Sequence, residues 1–171
     1  MGFLGRIDRE RGIQTLVSVL KLFGRNSNIR FLIAGDGDLS IHLKNQIEKF
    51  DLMNEVEIVG FIEQKDLEDR FWSQIGILIS TAPFESYGLT MREALIRNIP
   101  ILTLKNSGSM ELLNDFPDAC IEFYEASKID GLVTKIPEML NLKIDAQLLP
   151  RQKSIDGANL EKLLRSWLGS Q

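Results

Sequence analysis

Short apolar runs alternate along this sequence with stretches whose apolar side chains repeat at helical spacing. The runs are Phe3-Leu4, Ile29 to Ala34, Val56 to Val59, Ile75 to Ser80, Ile101 to Leu104 and Cys120 to Phe123. Each is too short for a helix and nearly continuous, as expected of a strand covered on both faces. Between the first two, Ile13, Leu16, Val17, Leu20 and Phe23 line one face of a helix over Gly12 to Phe23, with Gly24 as its stop. Leu39, Leu43, Ile47 and Phe50 mark a second helix, and Leu67 and Phe71 a short one over Asp66 to Gln74. Tyr87 to Arg97 forms the next, ended by a left-handed Asn98 and by Pro100. A short helix near Met110 to Leu113 and one over Ser127 to Leu140 follow, the latter expected to kink or end early at Pro137. Asn141 to Arg151 is the least patterned stretch, and Leu160, Leu163, Leu164, Trp167 and Leu168 mark a final helix, about 157–169.

Strictly alternating strands and helices build βαβ units, whose right-handed crossovers place helices on both faces of a parallel sheet. The expected fold is therefore a single Rossmann-like α/β/α domain over residues 1–171, with a six-stranded, mostly parallel sheet. The 171 residues include 44% hydrophobic and 26% charged side chains, which suits a globular core and argues against disorder. The net charge of −4 gives no sign of a nucleic-acid partner, although a local basic cluster can still hold an anion. One cysteine, Cys120, and one histidine, His42, offer neither a disulfide nor a Cys/His zinc site, which points to an intracellular chain. No apolar run reaches the ~18 residues needed to cross a membrane. The chain opens directly on an apolar run, so it is expected to be cut from a longer protein.

In open parallel sheets ligands bind in the crevice beyond the carboxyl ends of the strands, which directs attention to loops 5–12, 35–39, 60–66, 81–88 and 105–110. Loop 5–12 carries Arg6, Arg9 and Arg11 just before a helix N-terminus, a setting for a phosphate; a solvated mixed-charge loop fits it as well. Gly35-Asp36-Gly37-Asp38 imitates a dinucleotide fingerprint, but Ser40 stands where its third glycine belongs, and Asp36 and Asp38 also have the spacing of a divalent-cation site. A tight turn is the preferred reading. In Glu85-Ser86-Tyr87-Gly88-Leu89-Thr90-Met91-Arg92-Glu93, Gly88 permits close backbone approach, and the N–H groups of Gly88 and Leu89 face outward from a helix start. Thr90 to Glu93 equally matches a capping box. Ser107-Gly108-Ser109 is either a ligand-facing turn or a plain connection. His42 reads as a helix surface residue and Cys120 as core.

Taken in order, Gly5-Arg6 through Arg11-Gly12, Ile33 to Gly37, Val59-Gly60-Phe61, Glu85 to Leu89 with Glu93-Ala94, Ile99-Pro100-Ile101 and Ser107-Gly108 with Glu111 resemble group 1 glycosyltransferases. The resemblance is to the C-terminal, donor-binding half of the GT-B fold and runs from about Phe3 to Phe123. Glu85 and Glu93 enclose seven residues, as in the family's Glu-x7-Glu motif. It implies that Arg6 and Arg11 hold the donor diphosphate, helped by the N–H groups of Gly88 and Leu89. Glu93 would bind the ribose, the backbone around Phe61 and Ile62 the base, and Glu85 would face the donor sugar as the catalytic carboxylate. The implied activity is transfer of a hexose, with retention of configuration, from a UDP- or GDP-linked donor to a glycan or lipid-linked acceptor. No metal or other cofactor is implied. The acceptor-binding N-terminal domain would be missing, leaving this chain inactive alone, and any peripheral membrane association would come only through the full-length protein. The implied location is cytoplasmic, extending to the inner face of the membrane. Arginine at position 11 replaces the family's usual lysine, and Asn98 its usual glycine. A nucleotide-sugar epimerase of the same fold and a non-catalytic nucleotide-binding domain are the alternatives.

Overall fold

The computed structural model describes residues 1–24 and 29–146, with side chains through residue 140. Six strands are present: β1 (Gly2–Leu4), β2 (Phe31–Ala34), β3 (Val56–Gly60), β4 (Leu78–Ser80), β5 (Ile101–Leu104) and β6 (Ile121–Tyr124). They form one sheet in the order β3-β2-β1-β4-β5-β6, and every pair is parallel. Phe3 lies opposite Ile33, and Ile79 opposite Leu102. The expected architecture is the one observed, and chain order reverses between β1 and β4.

Side chains alternate across this sheet, as the period of a strand requires. Phe31, Ile33, Ile77, Ile79, Leu102 and Leu104 join one core cluster. It is closed by Leu16 and Leu20 of α1 (Ile13–Phe23), Leu43 and Ile47 of α2 (Ser40–Lys49), and Leu132, Ile136 and Met139 of α6 (Leu132–Ala146). Ala34, Leu78 and Ile101 face the other way, under Leu67 of α3 (Leu67–Arg70), Met91 and Ala94 of α4 (Leu89–Ile96), and Leu112 of α5 (Ser107–Asp115). Leu16, Leu20, Leu43 and Ile136 are buried; each such side chain adds roughly 1.5–3 kcal/mol by leaving water.

Several local expectations are corrected. α6 continues through Pro137 to Ala146 instead of ending there. Proline removes one N–H, but Leu132, Ile136 and Met139 are buried on the sheet, and that packing outweighs one lost bond. The 66–74 helix is broken: α3 covers only Leu67–Arg70, flanked by 3₁₀ turns at Gln64–Asp66 and Trp72–Gln74. α5 begins at Ser107, three residues before the expected start, because Asn106 caps it. α1 does stop at Gly24, which caps it in a right-handed conformation, and Asn98 has the expected left-handed turn at φ 54°. The helix expected at 157–169 lies outside the described residues.

No helix among the described residues is long and apolar enough to cross a membrane.

Candidate functional site

The reversal of strand order places the loops after β1 and β4 side by side, and the gap between such loops is where doubly wound sheets bind ligands. Here the loops interlock. Gly12 is left-handed at φ 70°, and a Cβ there would lie 1.9 Å from the Thr81 carbonyl oxygen. Thr81 Oγ1 donates to the Arg11 carbonyl at 2.6 Å, tying the loops just below the Arg11 side chain. Asp8 accepts from the Arg11 N–H at 2.9 Å and fixes the turn from within.

Arg11 and Glu85 meet across that gap. The Arg11 Nη1 group lies 2.6 Å from Glu85 Oε2, with the side chains 38% and 18% exposed. The other carboxylate oxygen, Oε1, accepts from the N–H groups of Gly88 at 3.2 Å and Tyr87 at 3.5 Å. Burial pushes the Glu85 carboxyl upward; the Gly88 N–H, the Arg11 guanidinium and the Tyr87 N–H outweigh it, so the net displacement is downward. The backbone of Glu85 is held from the opposite side. Its carbonyl accepts from the Gly108 N–H at 2.6 Å and from Ser107 Oγ at 3.0 Å, both in the first turn of α5. A Cβ on Gly108 would stand 2.7 Å from that carbonyl oxygen, so glycine is what lets the loop rest on the helix.

α4 starts at Leu89 behind Gly88, its cap position, which is left-handed at φ 72° and offers no side-chain cap. The capping-box reading of Thr90 and Glu93 is thereby removed, since both lie inside the helix. A reciprocal capping box stands instead at α5, where Asn106 accepts from the Ser109 N–H and Ser109 Oγ from the Asn106 N–H, each at 2.9 Å. Sequence reasoning missed it by seeking glutamate at the third position; Asn106 before a small-residue run was the available signal.

The remaining predicted residues surround this centre unevenly. Leu89 opens α4 and is 43% exposed. Arg6 does not join Arg11. It is an exposed side chain whose Nη2 lies 2.9 Å from Glu10 and 3.2 Å from Asp8 of its own loop. Glu93 is half-buried one turn into α4, and burial raises its pKa against the opposing pull of Arg97. Arg97 donates to the Glu93 carbonyl at 2.8 Å, pairs with Glu68 at 2.8 Å and lies over the Trp72 ring. Phe61 is 75% exposed beyond β3, whereas Ile62 is buried in the cluster that holds Met91 and Ala94 of α4. The Ile62 side chain is therefore closed to a ligand, and its loop shares a foundation with α4. A small pocket between β1, β4 and α4 is lined by Arg11, Ser80, Glu85, Gly88 and Thr90.

Asp36 accepts from Ser40 Oγ at 2.6 Å and the Gly37 N–H at 2.8 Å, the tight turn expected there. Among the described residues, no three His, Cys, Asp or Glu side chains gather as a metal site. His42 is exposed on α2, and Cys120 is half-buried just before β6.

The profile of the family "Glycosyl transferases group 1" matches residues 1–153. The chain belongs to the group 1 glycosyl transferases. A relative within this glycosyltransferase set is the 2-deoxystreptamine N-acetyl-D-glucosaminyltransferase of Niallia circulans, 32% identical over 139 residues, which are 81% of this chain and 35% of that protein. Among solved structures, Anabaena HepE in complex with UDP-glucose superposes with a TM-score of 0.69 at 19% identity, over 99% of this chain and 48% of that one. The C-terminal domain of a group 1 family glycosyl transferase of Francisella tularensis, LpcC, superposes with 0.68 at 17% identity, over 83% of this chain and 76% of that one. The fold is that of one half of the GT-B glycosyltransferases, and the chain spans about a third of the length of its sequence relative.

Proposed function

We propose that this chain is the nucleotide-sugar donor domain, residues 1–171, of a retaining hexosyltransferase of the group 1 family. In a longer protein, an N-terminal acceptor domain would close over it, and a UDP- or GDP-linked hexose would pass to a glycan or lipid-linked acceptor. The reaction would take place in the cytoplasm or at the inner face of the membrane. The observation that carries this reading is the meeting of Arg11, the start of α4 and Glu85 at the reversal of strand order between β1 and β4.

The roles follow from charge. A departing nucleoside diphosphate gains negative charge, and a fixed guanidinium with helix N–H groups stabilises it where it forms. Arg11 supplies the guanidinium; the N–H groups of Gly88 and Leu89 supply the helix start. Arg6 joins by leaving Asp8 and Glu10, an inexpensive exchange for a guanidinium that is itself exposed. Glu93 accepts from the ribose hydroxyls, and the backbone at Phe61 and Ile62 meets the base. Glu85 holds the Gly88 N–H and Arg11 until the diphosphate takes them, and its freed carboxylate then faces the donor sugar. These residues carry the diphosphate charge without a metal ion. HepE was solved with UDP-glucose on the same fold, which supports a nucleotide-sugar ligand.

Calorimetric titration tests the reading directly. The chain should bind UDP or GDP, with and without EDTA, more tightly than the parent nucleoside. Equal affinity for nucleoside and diphosphate would remove the assigned role of Arg11 and α4.

A further inference from the structure

The peptide unit between Tyr87 and Gly88 is gripped at both ends. Its N–H donates to Glu85 Oε1 at 3.2 Å, and its carbonyl accepts from Arg92 Nε at 3.2 Å. A peptide is planar and trans, so fixing the direction of C=O fixes the direction of N–H on the opposite side. A cation on the carbonyl also polarises the unit and strengthens its N–H as a donor.

Arg92 is well placed to impose this. Its side chain is 13% exposed, and its guanidinium carbon lies 4.0 Å from the centre of the Tyr87 ring. Nη2 pairs with Asp115 at 2.8 Å and Glu111 at 3.5 Å, both on α5. The first turn of α5 meanwhile holds the Glu85 carbonyl through Ser107 and Gly108. α5 therefore fixes loop 85–88 at both ends, directly at Glu85 and through Arg92 at Tyr87. The charged side chain facing the Glu85 carboxylate itself is Arg11, from the loop after β1.

We propose that Arg92 is a positioning residue of the donor site, which aims the Gly88 N–H through the Tyr87 carbonyl and so sets the orientation of Glu85. The inference rests on the donor-site reading above. Arg92 touches no ligand; it acts one peptide away. A mere brace between α4 and α5 would add stability but would not control the Gly88 amide or favour diphosphate over nucleoside.

The test uses Arg92→Leu, Arg92→Lys and Asp115→Asn in this chain, read by the Gly88 amide proton resonance and by affinities for UDP and uridine. Arg92→Leu should move the Gly88 amide upfield and weaken UDP about tenfold, the scale of one hydrogen bond to a charged group, with uridine unchanged. Arg92→Lys keeps the charge without the fork and should recover part of both effects. Asp115→Asn loosens Arg92 without removing it and should shift the same amide less; it decides the matter if Arg92→Leu does not fold. An amide unmoved by all folded variants, or equal losses for UDP and uridine, would overturn the role of Arg92. Wild-type chain that binds neither UDP nor GDP would instead overturn the donor-site reading, a result the amide resonances do not mimic; if only GDP binds, GDP and guanosine replace UDP and uridine in the same comparison.

Discussion

The Glu85 carboxylate sits 2.6 Å from the Arg11 guanidinium and on the Gly88 N–H, the groups assigned to an incoming diphosphate. Glu85 and the diphosphate would thus compete for the same guanidinium and the same N–H. Glu85→Gln keeps the shape but withdraws the competing anion, so UDP affinity should rise about threefold to tenfold, up to ~1.4 kcal/mol. Sugar transfer by a longer protein that joins this domain to an acceptor domain should fall sharply, because the carboxylate proposed to face the sugar is gone. Calorimetry beside the kcat of that longer protein checks both halves; a weaker UDP complex would sink the competition.

The same ion pair predicts an acid response. Glu85 is held below the ordinary carboxylate range, so its contribution to stability is complete above about pH 4.3 and fades as pH falls through its folded value. Thermal melts from pH 7 down to 3 should show a shallower loss in Glu85→Gln than in wild type. Parallel curves would mean the carboxylate titrates as if free.

Glu93 should behave in the opposite sense. Burial raises its pKa, so the fold favours its protonated form; that stabilisation is complete below the ordinary glutamate pKa and lost as pH rises through the folded one. Glu93→Gln should raise Tm at pH 7 and also weaken UDP, since a carboxylate accepts from two ribose hydroxyls better than an amide does. A residue that costs stability yet improves binding is the usual mark of a site. A lower Tm with unaltered affinity would return Glu93 to a purely structural part.

The two arginines should separate cleanly. Arg11→Ala should weaken UDP by about 1.5–3 kcal/mol and lower Tm, because it leaves the Glu85 carboxylate without its guanidinium partner. Arg6→Ala should weaken UDP while shifting stability by no more than ~1 kcal/mol, since its guanidinium and Glu10 are exposed and only Asp8 is half-buried. Chemical denaturation beside calorimetry tells these apart; unchanged UDP affinity in Arg6→Ala would assign Arg6 to the solvated loop alone.

Much of this was legible in the residues. Strand-helix alternation gave the layers, and left-handed Asn98 before Pro100 marked the end of α4. Periodicity failed where tertiary packing or local capping decides. Pro137 stays within α6 because its buried neighbours hold the helix down, and Asn106 extends α5 over residues that look like loop. The predicted roles of Glu85, Gly88 and Arg11 drew on short motifs, but their mutual contact spans 74 positions and appears only on folding. Arg92 carried no signal at all: its partners Tyr87, Glu111 and Asp115 come together through the packing of two helices.

The contacts of Gly12 with Thr81, and of Gly108 with Glu85, leave no slack between neighbouring backbones at the rim of the sheet. The spacing of the rim is gauged by main chain, which mutation alters only coarsely. Ancestral change in ligand preference would then have few routes through loop reshaping at these seams. It would have to proceed by exchanging outward side chains such as Phe61, Phe84 and Leu89, which stand clear of the seams and are free to vary one at a time. On this view the rim is a fixed chassis with interchangeable fittings.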